Sequence, residues 1–274
     1  METRFLKWAE ILDFLILIGS SVTLVAWIFG VPIFYHADGP VLSIFTSISL
    51  LVIVSLRLAT RHFQLWPFTA NLAFLMIVGG GNISSILMLL SAPAVHINPK
   101  STLVMTSIST SIGLIFFSFY EILLYLRRTP NRFWILDDIL IHLALVPGGL
   151  SLIGHLFQNP NYLSMSIDPR VGISLLEMAF MALLALSTVL SNPNLFLWKF
   201  LKSGTANQLI FVGLFVNQYI APIIYLVLMH DDWKSGDFGP ELFIFFGGVI
   251  ATLGFLLFQA KLEENNSLIR SGIN

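Results

Sequence analysis

Cysteine is absent from this 274-residue sequence, and charged residues make up only 11% of it. Without cysteine the chain has no disulfide, no thiol nucleophile and no cysteine-ligated metal. Soluble domains carry roughly 25% charged residues, so this chain has too little polar surface for a soluble globule. The formal net charge is −1, and no basic cluster is large enough to bind nucleic acid.

Recognisable catalytic motifs are also lacking. The sequence contains no GxSxG, HExxH or P-loop pattern, which excludes the best-known hydrolase and nucleotide-binding sites. Every lysine lies near the end of an apolar run or in a connection, so a retinal Schiff base in mid-membrane is excluded as well. A membrane-embedded lipid-modifying enzyme is a further alternative, which convergence of Glu121, His142 and the neighbouring Asp137 and Asp138 would favour.

Long apolar runs are abundant. Hydrophobic residues make up 56% of the chain, and the mean hydropathy is +0.85. A membrane-spanning helix needs about 17–25 apolar residues. Windows of that kind fall at residues 11–29, 40–57, 67–90, 102–126, 135–157, 171–190, 208–228 and 241–260. We therefore predict an all-α bundle of eight transmembrane helices that forms a single domain over residues 1–260, with a cytoplasmic tail over 261–274. The first window is interpreted as a helix and not as a cleaved signal peptide, because no small-residue cleavage site follows it.

The distribution of lysine and arginine predicts the orientation of these helices. With both termini on the cytoplasmic side, eleven of the fourteen basic residues lie inside and three lie outside. The outer three are Lys100, Arg170 and Lys234. The sequence therefore predicts an N-in, C-in topology.

A proline preceded by Gly, Asn or Asp comes before four of the apolar runs. These pairs are Gly39-Pro40, Asn98-Pro99, Asp168-Pro169 and Gly239-Pro240. Proline suits the first position of a helix, and Gly, Asn and Asp suit the N-cap. The pattern predicts four repeated hairpins, each with an outer turn capped in this way.

Each odd-numbered helix also carries a glycine near its middle. These glycines are Gly19, Gly80, Gly148 and Gly213. Small residues let helix backbones approach closely in lipid, so we expect these positions to lie at helix contacts.

Polar residues inside apolar runs are candidates for function because burying them in a membrane is costly. Asn82, His155 and Glu177 fall in the outer half of the predicted helices, and Asn217 and Gln218 lie near mid-depth before Pro222. We predict Asn82, His155, Glu177, Asn217 and Gln218 as ligand-binding residues. For Glu177 two interpretations stay open: contact with a ligand or proton, or a hydrogen bond that only fixes helix packing. Glu121 is expected to pair with Arg127 or Arg128 on its own helix.

Four of the six histidines map to the predicted outer side. They are His36, His96, His155 and His230. Histidines that converge there would bind Zn²⁺ or Cu²⁺, or respond to external pH. Their spacing matches no metal motif, so scattered interfacial histidines are the competing interpretation.

Two segments resemble a known family. "INPKSTLVMTSISTSIGLIF" (97–116) and "IDPRVGISLLEMAFMALLALSTVLSNPN" (167–194) resemble helices in the multi-pass N-terminal membrane regions of bacterial sensor histidine kinases and diguanylate cyclases. The resemblance implies a sensory bundle of about eight helices in the bacterial inner membrane. The chain departs from that family in the polar Glu177 and in having no kinase or cyclase domain, so signalling would require a cytoplasmic partner protein.

The sequence thus predicts an integral membrane sensor or regulatory protein. It would detect an outer-side or intramembrane stimulus and signal to the cytoplasm through helix packing. The alternative is a transporter or channel subunit that moves a small solute or a proton. The internal repeat, the helix interruption expected at Pro222 and the buried Glu177 favour it.

Overall fold

The computed structural model describes residues 2–31, 42–62, 68–91, 106–126, 135–159, 162–163, 173–229 and 239–272. Within these ranges the regular structure is entirely helical. Long apolar segments favour this outcome because a helix satisfies its own backbone hydrogen bonds without water. The predicted all-α fold is confirmed for the described residues.

The first six helices carry the predicted candidates Asn82, His155 and Glu177. They are α1 (Glu2–Phe29), α2 (Ile44–His62), α3 (Phe68–Ser91), α4 (Ile108–Leu126), α5 (Ile135–Phe157) and α6 (Leu175–Ser191). The later elements are α7 (Phe196–Lys202), α8 (Thr205–Phe215), a π turn (Val216–Ile220), α9 (Ala221–Leu228) and α10 (Pro240–Gly272).

Seven described segments are long and apolar enough to cross a membrane: α1, α2, α3, α4, α5, α10 and the continuous segment Thr205–Leu228. An eighth is obtained if α6 and α7, which meet at a 71° bend, count as one span. The predicted number of eight agrees with the upper value. The hairpin repeat and the N-in, C-in orientation stay predictions.

The chain divides into two compact units. The first comprises residues 1–130 and 140–193, and the second comprises residues 131–139 and 194–274, so α5 begins in the second and continues in the first. Both units contain membrane-length segments, and the predicted single domain over 1–260 stays a prediction.

In the first unit, α1 packs against α2 and α6, and α3 packs against α4. α4 also contacts α2 and α6. The centre of this unit is apolar and includes the fully buried Ile16, Leu50, Ile53, Leu114 and Leu184. Gly19 on α1 faces the ring of Phe180 so closely that an added Cβ would overlap the ring. The expected close packing is found at Gly19, whereas an added Cβ at Gly80, Gly148 or Gly213 would meet no atom within 4 Å among the described residues.

In the second unit, α10 packs against the π turn and α9. The π turn lies directly before Pro222, as expected for a residue that cannot donate a helical hydrogen bond. The N–H of Ala221, the residue before the proline, bonds the carbonyl of Val216, five residues back. Asp138 accepts the backbone N–H groups of Phe196 and Leu197 at 2.9 and 3.0 Å, and so caps the start of α7.

The predicted proline caps are correct for one helix of four. Pro240 is the first residue of α10, but α2, α4 and α6 begin at Ile44, Ile108 and Leu175, several residues after their prolines. The residues immediately before these three helices are described and are not helical. Pro40, Pro99 and Pro169 themselves lie outside the described residues. The caps of these three helices are serines, described below.

Candidate functional site

One end of the first unit holds a buried group of charged residues, which we call the arginine cluster: Asp13, Arg57, Arg61 and Glu121 together with Ser187 and Thr188. Asp13, Arg57 and Glu121 are 0%, 6% and 3% exposed. Buried charges are tolerated when they are paired and hydrogen-bonded, and two acids here face two bases.

Arg57 is the centre of the arginine cluster. Its Nε and Nη2 atoms lie 2.6 and 2.5 Å from the same oxygen of Glu121, and Nη2 also donates to Thr188 at 2.5 Å. Its Nη1 lies 3.6 Å from Asp13 but makes no hydrogen bond within the described part of the chain. Arg57 therefore joins α2 to α1, α4 and α6 at one point.

Asp13 on α1 connects the arginine cluster to Arg61 and Ser187. One of its oxygens lies 2.8 Å from Nη1 of Arg61, and the other accepts a short hydrogen bond from Ser187. Arg61 is partly exposed, whereas Asp13 is fully buried. The pairing of Glu121 with Arg57 differs from the predicted pairing with Arg127 or Arg128, which lie outside the described residues.

Glu177 is the centre of a second group at the opposite ends of the same helices. It is 2% exposed. Its two oxygens accept hydrogen bonds from Thr46 on α2 at 2.8 Å and from Thr110 on α4 at 3.3 Å. We call the group the Glu177 cluster and define it by Ser43, Thr46, Ser107, Thr110, Ser174 and Glu177.

Each of the three helices in the Glu177 cluster begins with the same local arrangement. A serine precedes the helix, and its hydroxyl accepts the N–H of the third residue after it: Ser43 from Thr46 at 3.0 Å, Ser107 from Thr110 at 3.1 Å, and Ser174 from Glu177 at 3.0 Å. On α6 the side chain of Glu177 also accepts the N–H of Ser174, which completes a capping box. The third residues of all three helices thus meet at one point.

The two clusters form parallel polar layers across the first unit. Each of three helices gives one residue to each layer, eleven positions apart: Thr46 and Arg57 on α2, Thr110 and Glu121 on α4, Glu177 and Thr188 on α6. Eleven residues make about three helical turns and a rise of about 16 Å, so both residues lie on the same face of their helix. The apolar centre of the unit separates the layers.

The other predicted ligand-binding residues do not join the Glu177 cluster. Asn82 on α3 is buried and donates to Ser49 on α2 at 3.2 Å. On α5, the Nε2 atom of His155 lies 2.9 Å from the carbonyl oxygen of Ile173. Each of these bonds connects two segments of the first unit.

Asn217 and Gln218 lie in the π turn of the second unit but point in different directions. Gln218 is buried, and its carbonyl oxygen accepts the hydroxyl of Thr252 on α10 at 3.1 Å. Asn217 is exposed, so of these two ligand-binding candidates only Gln218 is buried. Adjacent residues on a helix are about 100° apart, and only one of the two faces α10.

The predicted metal site falls mostly outside the described residues. His36, His96 and His230 lie there, and His155 bonds a backbone carbonyl. The part of the chain that is described contains no group of three His, Asp or Glu side chains placed to hold a metal ion.

The residues of the hypothetical lipid-modifying site are engaged separately. Glu121 is bonded to Arg57, and Asp138 caps α7. Nε2 of His142 is buried without a hydrogen-bond partner in the described ranges.

Sequence reasoning missed Asp13, Arg57 and the serine caps. The signal was present: Asp13 and Arg57 interrupt apolar runs, and three helices repeat a polar pair at a spacing of eleven. Comparison with protein-family models, with curated proteins and with solved structures finds no match for this chain. What the structure establishes by itself is a multi-pass helical membrane protein with two buried polar layers in its first unit.

Proposed function

We propose that this chain is a sensor or regulatory protein of the bacterial inner membrane, which passes a stimulus to a cytoplasmic partner protein through helix packing. The resemblance of residues 97–116 and 167–194 to sensory membrane regions implies the same task. A signal of this kind requires a site that responds and a stiff element that transmits.

The observation that carries this proposal is the length of α10. The helix runs without interruption for 33 residues, of which Pro240–Leu262 suffice to cross a membrane. At 1.5 Å per residue the helix is about 50 Å long, against about 30 Å for the hydrocarbon core of a bilayer. A movement of the span is therefore transmitted directly to residues 263–272, because no flexible linker intervenes.

The first unit supplies buried polar groups on which a stimulus can act. Both polar layers connect three or more helices through specific hydrogen bonds, so a change in one bond alters the packing of several helices together. α5 continues from the second unit into the first and provides a covalent route between them.

The test is photo-crosslinking from a single position on α10. A photo-crosslinking residue is placed at Asn265, which is exposed on the extension of α10, and a matched control at Leu228, which is 76% exposed within a predicted span. In native membranes we expect a protein with a cytoplasmic signalling domain to be captured from position 265 and not from position 228. Absence of any such adduct at position 265 contradicts the sensor proposal.

A transporter or channel subunit is the second candidate, and the π turn favours it. Gln218 is buried in this interruption of a membrane-length helix, and its Nε2 has no hydrogen-bond partner within the described residues. Interrupted helices with free polar groups at mid-depth form substrate sites in many transporters. A flux of protons or ions into proteoliposomes that Glu177→Gln or Gln218→Leu abolishes would establish transport and remove the sensor proposal.

A further inference from the structure

The groups aimed at Glu177 are all hydrogen-bond donors. Thr46 and Thr110 donate hydroxyl protons, and Ser174 donates its backbone N–H. Three helix N-termini also point towards the carboxyl group, and each carries a partial positive charge. The site is built to hold a negative charge at the point where α2, α4 and α6 begin.

No cationic side chain among the described residues forms an ion pair with Glu177. The nearest charged residues along the helices packed around it are those of the arginine cluster: Asp13 on α1, Arg57 on α2 and Glu121 on α4. On α2 and α4 they lie about 16 Å away. On α5 the titratable group facing this end is His155, which bonds Ile173, the residue before the Ser174 cap.

Hydroxyl groups extend the Glu177 cluster in two directions. Ser43 lies 2.8 Å from the hydroxyl of Thr46 and 3.3 Å from that of Thr106. On the other side, Ser107 donates to Thr110 at 2.8 Å. Hydroxyls both donate and accept, so such a row can deliver a proton to a carboxyl group that is itself buried.

Protonation of Glu177 changes the number of hydrogen bonds that its carboxyl group can accept. The carboxylate accepts from donors on three helices, whereas the neutral acid has one oxygen that must itself donate. Neutralisation also removes the negative charge that offsets three helix N-termini. The bonds from Thr46 and Thr110 then lose most of their charge-assisted strength.

We propose that Glu177 is a proton-binding site through which the protein responds to acidification. Ionised Glu177 holds the starts of α2, α4 and α6 together, and proton uptake from the aqueous phase releases them. Acidification would then be the stimulus of the proposed sensor. The biological role of this site rests on the proposed function, whereas proton binding itself is measured on the isolated chain.

The experiment measures the distance between two helix starts as a function of pH. Phe45→Cys on α2 and Leu175→Cys on α6 place spin labels on exposed residues beside the Glu177 cluster, in a chain with no other cysteine. The full chain is reconstituted in lipid nanodiscs and studied by double electron–electron resonance between pH 4 and 8. We expect the distance to change by at least about 2 Å as the pH falls.

Four variants identify the titrating group. Glu177→Gln is expected to fix the low-pH distance at every pH. Thr46→Val, which removes one donor to the carboxylate, is expected to raise the midpoint of the response by about one pH unit. His155→Gln is expected to leave the midpoint of the pH response unchanged. Glu10→Gln, which removes a carboxyl group at the opposite end of α1, is expected to do the same.

The proposal is overturned by a distance that does not depend on pH, by a response that survives Glu177→Gln, or by one that disappears with His155→Gln. A midpoint unmoved by Thr46→Val contradicts it too. These outcomes are distinguishable from failure of the sensor proposal, which is judged by crosslinking at position 265. A pH-dependent distance without a partner removes the sensor and leaves the proton site.

Discussion

Replacement of Arg57 by Met is expected to destabilise the first unit more than any other single change in the arginine cluster. The variant keeps an unbranched, flexible side chain but removes one hydrogen bond and one further ion-pair contact to Glu121 and one hydrogen bond to Thr188. It also leaves the carboxyl group of Glu121 buried without its cation, while Asp13 keeps Arg61.

The magnitude follows from the cost of an unpaired buried charge. Breaking a buried ion pair by removing one partner costs about 3–5 kcal/mol. This lowers the equilibrium constant for folding by roughly 150- to 5,000-fold. Arg61→Met is the matched control, because Arg61 is one-quarter exposed and Asp13 then keeps Arg57 and the hydrogen bond from Ser187, so we expect a cost of about 1 kcal/mol.

The assay is equilibrium unfolding in mixed detergent micelles with increasing SDS, followed by circular dichroism and tryptophan fluorescence. The double variant Arg57→Met/Glu121→Leu removes both charges and is expected to recover at least about 2 kcal/mol of the loss. If Arg57→Met is no less stable than Arg61→Met, or if the double variant is no more stable than Arg57→Met, the described pairing is refuted.

Three further predictions concern the second unit and the topology. Gly248→Leu is expected to lower the thermal midpoint by several degrees, because a Cβ there would come 2.6 Å from a backbone Cα of the π turn; Gly247→Leu, which meets no described atom within 4 Å, is the control. Asp138→Ala leaves the first N–H groups of α7 without their acceptor, and we expect a loss of about 1–2 kcal/mol with faster amide exchange confined to α7. Single cysteines at Lys100 and Lys234 are expected to react with an impermeant maleimide added outside intact cells, and labelling only after lysis contradicts the N-in, C-in topology.

The sequence alone determines where the membrane-length helices lie, though not the short α7 or the extension of α10 beyond residue 260. The predicted window 135–157 coincides with α5, and 67–90 differs from α3 by one residue at each end. Apolar length decides these bounds, because a span must match the thickness of the bilayer. The burial of Glu177 was also predictable, since a carboxyl group inside an apolar run has to face the protein interior.

The tertiary structure alone decides which polar residues meet. A carboxyl group on one helix can reach any helix beside it, and the choice depends on the rotation and neighbours of each helix. Glu121 therefore bonds Arg57 on the neighbouring α2. In the same way Gln218 is buried against α10 while the adjacent Asn217 is exposed, because packing selects one face of the helix. The sequence shows which polar residues lie within the membrane-spanning helices. Helix packing arranges these residues in two layers about 16 Å apart.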